Sequence, residues 1–137
     1  MQALETVRAF NRLAWTEGRL DEARELLAPD LVDHDALPFP GREPGAAGLL
    51  QVVAMIRAAI PDLSRDVDEE HADGDRVVTS FTDHGTHAGD LFGIPATARA
   101  VSVRGINLCR VRDGRIAEIR HVEDLLGLLR QLGAIPG

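Results

Sequence analysis

Asp124 is the residue in this sequence best placed to do chemistry. It stands where an alternating, strand-like run that begins at Arg115 gives way to the leucine-rich segment of residues 125–133. A carboxylate partly screened from water is a stronger proton acceptor than one in water, because burial disfavours its ionised form. The same position suits a helix N-cap, whose carboxylate accepts hydrogen bonds from the first free amides of the helix. Local sequence leaves both interpretations of Asp124 open.

The residue types that are missing narrow the chemistry. All 15 basic residues are arginine, and the chain contains neither lysine nor tyrosine. A Schiff base and a phenolic proton donor are therefore excluded, so Asp, Glu, His and Arg must carry any reaction. The five histidines accompany no HExxH or CxxC motif, and no GxGxxG or GxxxxGK loop is present to hold a phosphate. We expect no metal site and no cofactor.

Length and composition predict one domain over residues 1–137, since 137 residues with 45% hydrophobic content can bury a core. The net charge of -7 and the scattered arginines argue against nucleic acid as a partner. No apolar run approaches the roughly 20 residues that span a bilayer, and the first residues lack a basic, apolar leader. We expect a soluble, cytoplasmic protein without a membrane partner, and we expect Cys109 to lie in the core.

Hydrophobic spacing predicts helices first and strands afterwards. Helices are expected over about residues 2–17, 21–27 and 44–59, the third beginning at Pro44. Strands are expected over about residues 64–71, 76–87, 98–111 and 115–124, with Asp73-Gly74 and Asp113-Gly114 as hairpin turns. This order predicts an α+β domain in which three N-terminal helices cover one face of a curved antiparallel or mixed sheet and a short helix ends the chain. Such a fold can leave a pocket between its two layers.

The turn at Asp113-Gly114 decides which side chains share a face with Asp124. A three-residue bulged turn would pair Arg110 with Ile116 and would put five side chains on one face, whereas a two-residue turn would split that set. We favour the bulged turn, because Gly114 stands where its left-handed residue belongs. The expected set is Leu108, Arg110, Glu118, Arg120 and Asp124.

Several short motifs occur together in one order: PDLVDHD at residues 29–35, IPDL at 60–63, GTH at 85–87, GIP at 93–95, RDGRIAE at 112–118 and DLLGLLRQLG at 124–133. In this order and spacing the chain resembles the SnoaL-like polyketide cyclases, also called ester cyclases. The resemblance implies the cone-shaped α+β fold of nuclear transport factor 2, an enclosed pocket, and a homodimer or homotetramer built by packing sheet against sheet.

The same resemblance implies a cofactor-independent enzyme that closes a ring in a small, hydrophobic, polyketide-like ester by intramolecular aldol condensation. The aspartate that acts as general acid and base in that family matches Asp124. It would take a proton from a carbon between two carbonyls and return it to the new alkoxide. We therefore expect Asp124→Asn to abolish turnover while leaving the fold nearly intact. Arg110 could pair with Asp124, which would weaken it as a base, or with Glu118.

Further pocket candidates come from their predicted positions. His87 follows Gly85-Thr86 on the long central strand and points into the pocket or lies hydrogen-bonded at its rim. His34 guards the pocket mouth or anchors the proline-rich loop, whereas His84 and His121 are expected to face solvent. The complete expected pocket set is Trp15, His34, Gln51, Met55, His87, Phe92, Leu108, Arg110, Glu118 and Arg120.

Two other functions compete with the cyclase. One is a different reaction on the same fold within natural-product metabolism, such as hydroxylation, isomerisation or epoxide opening; related sites of this kind generally use tyrosine, which this chain lacks. The other is a non-catalytic module that binds a small molecule or oligomerises, in which Asp124 only caps a helix.

Overall fold

Helices and strands follow one another largely in the predicted order. The computed structural model describes residues 2–136. In chain order the elements are α1 (Ala3–Phe10), a π-helical segment (Asn11–Thr16), α2 (Leu20–Arg24), β1 (Leu27–Asp33), α3 (Gly45–Ala59), β2 (Ser64–Asp73), β3 (Arg76–Thr86), β4 (Ala100–Arg112), β5 (Arg115–Glu123) and α4 (Leu125–Gln131). The predicted α+β class is confirmed.

The five strands form one mixed sheet in the order β1-β5-β4-β3-β2. Strands β2 to β5 make an antiparallel meander, and β1 joins it at one edge by pairing in parallel with β5. The segment of residues 34–44 and helix α3 then carry the chain from β1 across to β2. Because β1 lies beside the last strand, residues near both ends of the chain meet at this edge of the sheet.

One local prediction was wrong, and one predicted helix has an irregular geometry. The expected second helix through Leu27 is shorter, because Leu27 already pairs with Ile116 as the first residue of β1. Pro29 lies inside this strand, which is possible because β1 is an edge strand and the missing amide hydrogen costs no ladder bond there. The first helix departs from regular α geometry after Phe10 and continues as the π-helical segment.

The core lies between the helices and one face of the sheet. Its larger cluster packs α1, the π-helical segment and α3 against the strands, with Phe10, Leu27, Val53, Val77 and Ile116 among its buried members. A smaller cluster packs the end of α3 against α4 and the loop between β3 and β4. The space left between these clusters is the cavity described next.

Candidate active site

A cavity of about 190 Å³ opens between the helices and the covered face of the sheet. Most of its wall is apolar, with Leu49, Val52 and Ile56 from α3 facing Val101 and Val103 from β4. Side chains on a strand alternate between the two faces, so only every second residue of β4 and β5 can reach this space. The polar residues on its wall are Asp33, Asp35, Arg65, Asp83, His84, Asn107, His121 and Glu123. His84 and His121, which were expected to face solvent, therefore belong to the wall.

His121 is the centre of the polar part of the wall. Its Nε2 lies 3.0 Å from Oδ1 and 3.2 Å from Oδ2 of Asp33, and its Nδ1 lies 2.6 Å from Oε1 of Glu123. All three side chains line the cavity. The Asp33 side chain is 6% exposed and that of His121 is 17% exposed, whereas that of Glu123 is 30% exposed. We call these three side chains the His121 cluster.

The cluster holds His121 in its protonated form. Hydrogen bonds to Asp33 and Glu123, together with their negative charges, outweigh burial and raise the pKa of His121 to about 10. Burial by itself would raise the pKa of Asp33, but the hydrogen bond and charge of His121 hold that pKa below its usual value. At neutral pH the cluster therefore consists of an imidazolium between two carboxylates.

Two residues of the segment after β1 support Asp33 and His121. The backbone N–H of Asp35 donates to Oδ1 of Asp33 at 3.0 Å, and the backbone N–H of His121 donates to Oδ2 of Asp35 at 2.9 Å. The guanidinium of Arg42 lies 3.6 Å from Asp33 Oδ2 and donates to the carbonyl of Leu37 at 2.9 Å. These contacts fix the edge of the cavity that lies nearest to β1.

A second charged group in the wall is fully paired. Arg65 forms a two-pronged ion pair with Asp83, with distances of 2.7 and 2.9 Å, and also donates to Asn11 at 3.2 Å. Its guanidinium lies 4.3 Å from the ring centre of Trp15 and 3.7 Å from that of Phe81. With its side chain only 3% exposed and its donors engaged, Arg65 organises the wall and offers no free cation to a ligand.

Asn107 is the polar residue of β4 that faces the cavity. It is the direct cross-strand partner of His121. Among the contacts within residues 2–136, its side-chain amide makes no hydrogen bond. The amide is therefore available to donate to an oxygen atom in the cavity beside the His121 cluster.

Asp124 lies beyond the cavity wall. It is exposed, and its Oδ1 accepts a hydrogen bond from the N–H of Gly127 at 2.8 Å, so it caps α4 as its N-terminal residue. The carboxylate is directed toward the start of this helix. Of the two interpretations that the sequence left open, the cap is the one that the structure shows. Its neighbours Glu123 and Leu125 line the cavity instead.

The strand residues that were expected to share a face with Asp124 lie on the outer face of the sheet, which the helices do not cover. The turn has two residues, Asp113 and Gly114, both with positive φ, so the prediction of a three-residue turn was wrong. A bulge after Ile116 then pairs Arg110 with Glu118, which lie 3.3 Å apart. Hydrogen bonds to His34 and Arg110 hold the pKa of Glu118 below its usual value. The expected residues that lie away from the cavity wall here are Leu108, Arg110, Glu118 and Arg120.

Of the other expected pocket residues, Trp15 and Phe92 line the cavity. Gln51 is bonded to the backbone of Glu43 and Gly41, so it fastens the loop before α3. Met55 is on the same helix but points away, as its 38% exposure shows.

Both remaining histidine candidates have partners outside the cavity wall. His34 bonds to Glu118 on the outer side at 2.9 Å. His87 is fully buried, and its Nδ1 accepts from the N–H of Thr97 at 3.2 Å, which ties the loop after β3 back to the strand end.

Two cavity residues that were not predicted, Asn107 and Asp33, are recognisable from the alternation of polar and apolar residues along their strands. On β4 the charged residues Arg104, Arg110 and Arg112 fall on even positions, and the buried residues Val101 and Cys109 on odd ones. Asn107 is then the polar residue on the apolar face. Asp33 follows buried Leu31 at the same spacing on β1. His121 is not recognisable in this way, because the bulge in β5 shifts the alternation of inward and outward residues before this position.

Among residues 2–136, no helix is both long and apolar enough to span a membrane. Within the same part of the chain, no three His, Cys, Asp or Glu side chains form a group that could hold a metal ion.

A helix-covered sheet that encloses a largely apolar cavity with a charged cluster on its wall has the architecture of an enzyme site for a small organic molecule. The profile described as SnoaL-like polyketide cyclase matches residues 5–132. The chain belongs to this family, as its sequence motifs predicted.

Characterised relatives and solved structures agree with this assignment. The chain is 33% identical to the nogalonic acid methyl ester cyclase of Streptomyces nogalater over 122 residues, which cover 88% of this chain and 90% of the relative. It is 30% identical to an aklanonic acid methyl ester cyclase of Streptomyces peucetius, with 88% and 83% covered. The structure of TsrD from Streptomyces laurentii superposes with a TM-score of 0.85 at 31% identity, covering 97% of this chain and 96% of that one.

Proposed function

We propose that this chain is a polyketide ester cyclase that closes a ring by intramolecular aldol condensation, with the His121 cluster as its proton-transfer group. Membership of the family and the methyl ester cyclases among its relatives support the reaction class. The observation that carries the site assignment is the position of His121 on the cavity wall, held between Asp33 and Glu123.

The charge of the cluster suits it to accept one proton. An imidazolium between two carboxylates has a formal net charge of minus one, and most of the wall around it is apolar. A proton from the substrate would make the cluster neutral, which a poorly solvated environment favours. Because the three groups exchange protons with one another, the affinity for that proton belongs to the cluster as a unit.

Glu123 is the member of the cluster best placed to meet the substrate. It is the most exposed of the three side chains, and its Oε2 makes no hydrogen bond within residues 2–136. Both ring nitrogens of His121, by contrast, are engaged. We therefore assign the first proton transfer to Glu123 Oε2, with His121 holding that carboxylate against the cavity.

The reaction then needs three steps. Glu123 removes a proton from a carbon between two carbonyls, and the electrons of the broken C–H bond form an enolate. The enolate carbon attacks a ketone at the other end of the same molecule, which forms the C–C bond and an alkoxide. The protonated cluster returns its proton to that alkoxide. The amide of Asn107 can donate to the enolate oxygen, and the apolar walls hold the two ends of the substrate together.

This assignment moves the acid and base role from Asp124 to Glu123, and paired variants test it. Turnover of a polyketide methyl ester with a free ketone should fall by about 10²- to 10⁴-fold in Glu123→Gln, because the amide cannot accept the proton. Asp124→Asn should stay within about threefold of the parent, because asparagine also caps helices. Glu69→Gln, at a glutamate whose side chain is 75% exposed, serves as the matched control. An inactive Asp124→Asn beside an active Glu123→Gln would return the role to Asp124.

We also propose that the outer face of the sheet packs against a second copy of the chain. Ile106 and Val122 are cross-strand partners there, 55% and 74% exposed, and Val78 on the neighbouring strand is 38% exposed. Adjacent exposed apolar side chains on the open face of a sheet are typical of an interface. Sedimentation equilibrium should show a homodimer or larger assembly that Ile106→Glu dissociates; a monomeric parent chain would refute this proposal.

A further inference from the structure

In the segment that follows β1, the side chain of Asp35 takes the place of a backbone carbonyl as acceptor of one hydrogen bond of the sheet. In β1 and β5 the parallel ladder pairs Asp33 with Ile119, and the N–H of His34 donates to the carbonyl of Ile119 at 2.9 Å. In a regular parallel ladder the next bond would run from the N–H of His121 to the carbonyl of His34. Here Oδ2 of Asp35 accepts that bond instead, at 2.9 Å. The chain can therefore turn away at His34 while the backbone N–H of His121 still has an acceptor.

The hydrogen bond to Asp35 closes a ring of hydrogen bonds through the His121 cluster. Oδ2 of Asp35 binds the backbone of His121, the imidazole of His121 binds Oδ1 of Asp33 at 3.0 Å, and the same Oδ1 accepts from the backbone of Asp35 at 3.0 Å. Each of the three residues is thus held by both of the others. Such a ring fixes the separation of β1 and β5 and the direction of the imidazole at the same time.

We infer that Asp35 is a positioning residue that sets the geometry of the His121 cluster through its role as a hydrogen-bond acceptor. The inference rests on the proposed function for its kinetic consequence. It does not depend on the charge of Asp35, because this residue is exposed and water screens its charge. Without the acceptor, the N–H of His121 loses its partner, and the direct bond that ties Asp35, and through its backbone Asp33, to β5 is lost.

Two variants of Asp35 distinguish the effect of its hydrogen-bond acceptor from the effect of its negative charge. Asp35→Asn keeps an oxygen that can accept from His121, whereas Asp35→Ala removes it. We expect kcat for ring closure to fall by about 10- to 100-fold in Asp35→Ala with KM changed by less than about threefold, since displacing a reacting group by about 1 Å has an effect of this size. Asp35→Asn should retain kcat within about threefold. Asp30→Ala, at an exposed aspartate of the adjoining strand β1, is the control.

A second readout needs no activity. The ¹⁵N resonances of the His121 imidazole report its hydrogen bonds in the ligand-free protein. Asp35→Ala should shift both resonances, and Asp35→Asn should leave them at their original positions. If the parent chain closes no ring in any polyketide ester, the proposed function fails, and the resonances still decide the positioning role. Unchanged resonances in Asp35→Ala, or an Asn variant as impaired as the Ala variant, would overturn the inference.

Discussion

The pH dependence of folding offers a quantitative test of the His121 cluster. Contacts with Asp33 and Glu123 raise the pKa of His121 to about 10 in the folded chain, from 6.5 for an unperturbed histidine. A group whose pKa is raised by folding stabilises the protein fully below its unfolded pKa, and this contribution is lost as the pH rises through the folded pKa. The stabilisation from His121 is therefore complete below about pH 6.5 and gone above about pH 10.

The expected change in stability per pH unit follows from these two pKa values. For one such group, each pH unit between these limits lowers the free energy of unfolding by roughly 1.4 kcal/mol, which amounts to about 3 kcal/mol between pH 7 and pH 9. His121→Gln removes the titration but retains a hydrogen-bond donor. The stability difference between the parent chain and this variant should therefore shrink by about 3 kcal/mol over the same range.

Urea denaturation followed by the fluorescence of Trp15, the one tryptophan in the chain, measures this difference. The stability of the variant must be subtracted from that of the parent chain, because Cys109 also titrates. Burial raises the pKa of Cys109 to about 12, so ionisation of this thiol in the unfolded chain destabilises both proteins at high pH. His71→Gln, at a histidine whose side chain is 75% exposed, should leave the pH profile unchanged. A difference between the parent chain and His121→Gln that stays constant from pH 7 to pH 9 would refute the protonated state assigned to His121.

Substitutions at three positions test contacts at and around the cavity by urea denaturation. Asp124→Ala should lower the free energy of unfolding by about 1 kcal/mol and Asp124→Asn by less than about 0.5, and equal losses would contradict the cap. Gly105→Ala should cost about 1 to 3 kcal/mol, because the added methyl would lie 2.4 Å from the ring of Phe81; an unaffected midpoint would show that this ring moves freely. Arg65→Lys should cost about 2 to 4 kcal/mol through loss of the two-pronged bond to Asp83; an unchanged free energy of unfolding would show that this bond contributes little.

The hydrophobic pattern was sufficient to predict most of the fold. Period-two alternation and the Asp113-Gly114 turn located the four strands of the meander, since strand alternation and a glycine with positive φ are local properties of the chain. The start of β1 was not predictable in this way. Leu27 belongs to a strand only because Ile116 of β5, almost 90 positions later, pairs with it.

The site was harder to predict because one extra residue reverses the alternation of β5. Ile116 and Ile119 both lie in the core although they are three positions apart, and buried Ala117 stands between them at the bulge. Counting by twos from Ile116 assigns His121 to the outer face, and counting from Ile119 assigns it to the cavity. Tertiary packing decides between the two counts, and it brings His121 and Glu123 inward while Glu118 and Arg120 face outward.

The parallel pairing of β1 with β5 also sets the order in which the site can form. Asp33 and His121 are 88 positions apart, so closing the intervening chain costs roughly 4 kcal/mol of loop entropy beyond a constant term. The meander of β2 to β5, by contrast, closes through short turns. During refolding the sheet can therefore form before its edge strand adds, and the His121 cluster is completed only by that last docking step. A chain that has buried most of its apolar surface but has not yet docked β1 would be collapsed and nearly native in secondary structure, yet would lack the contact between Asp33 and His121.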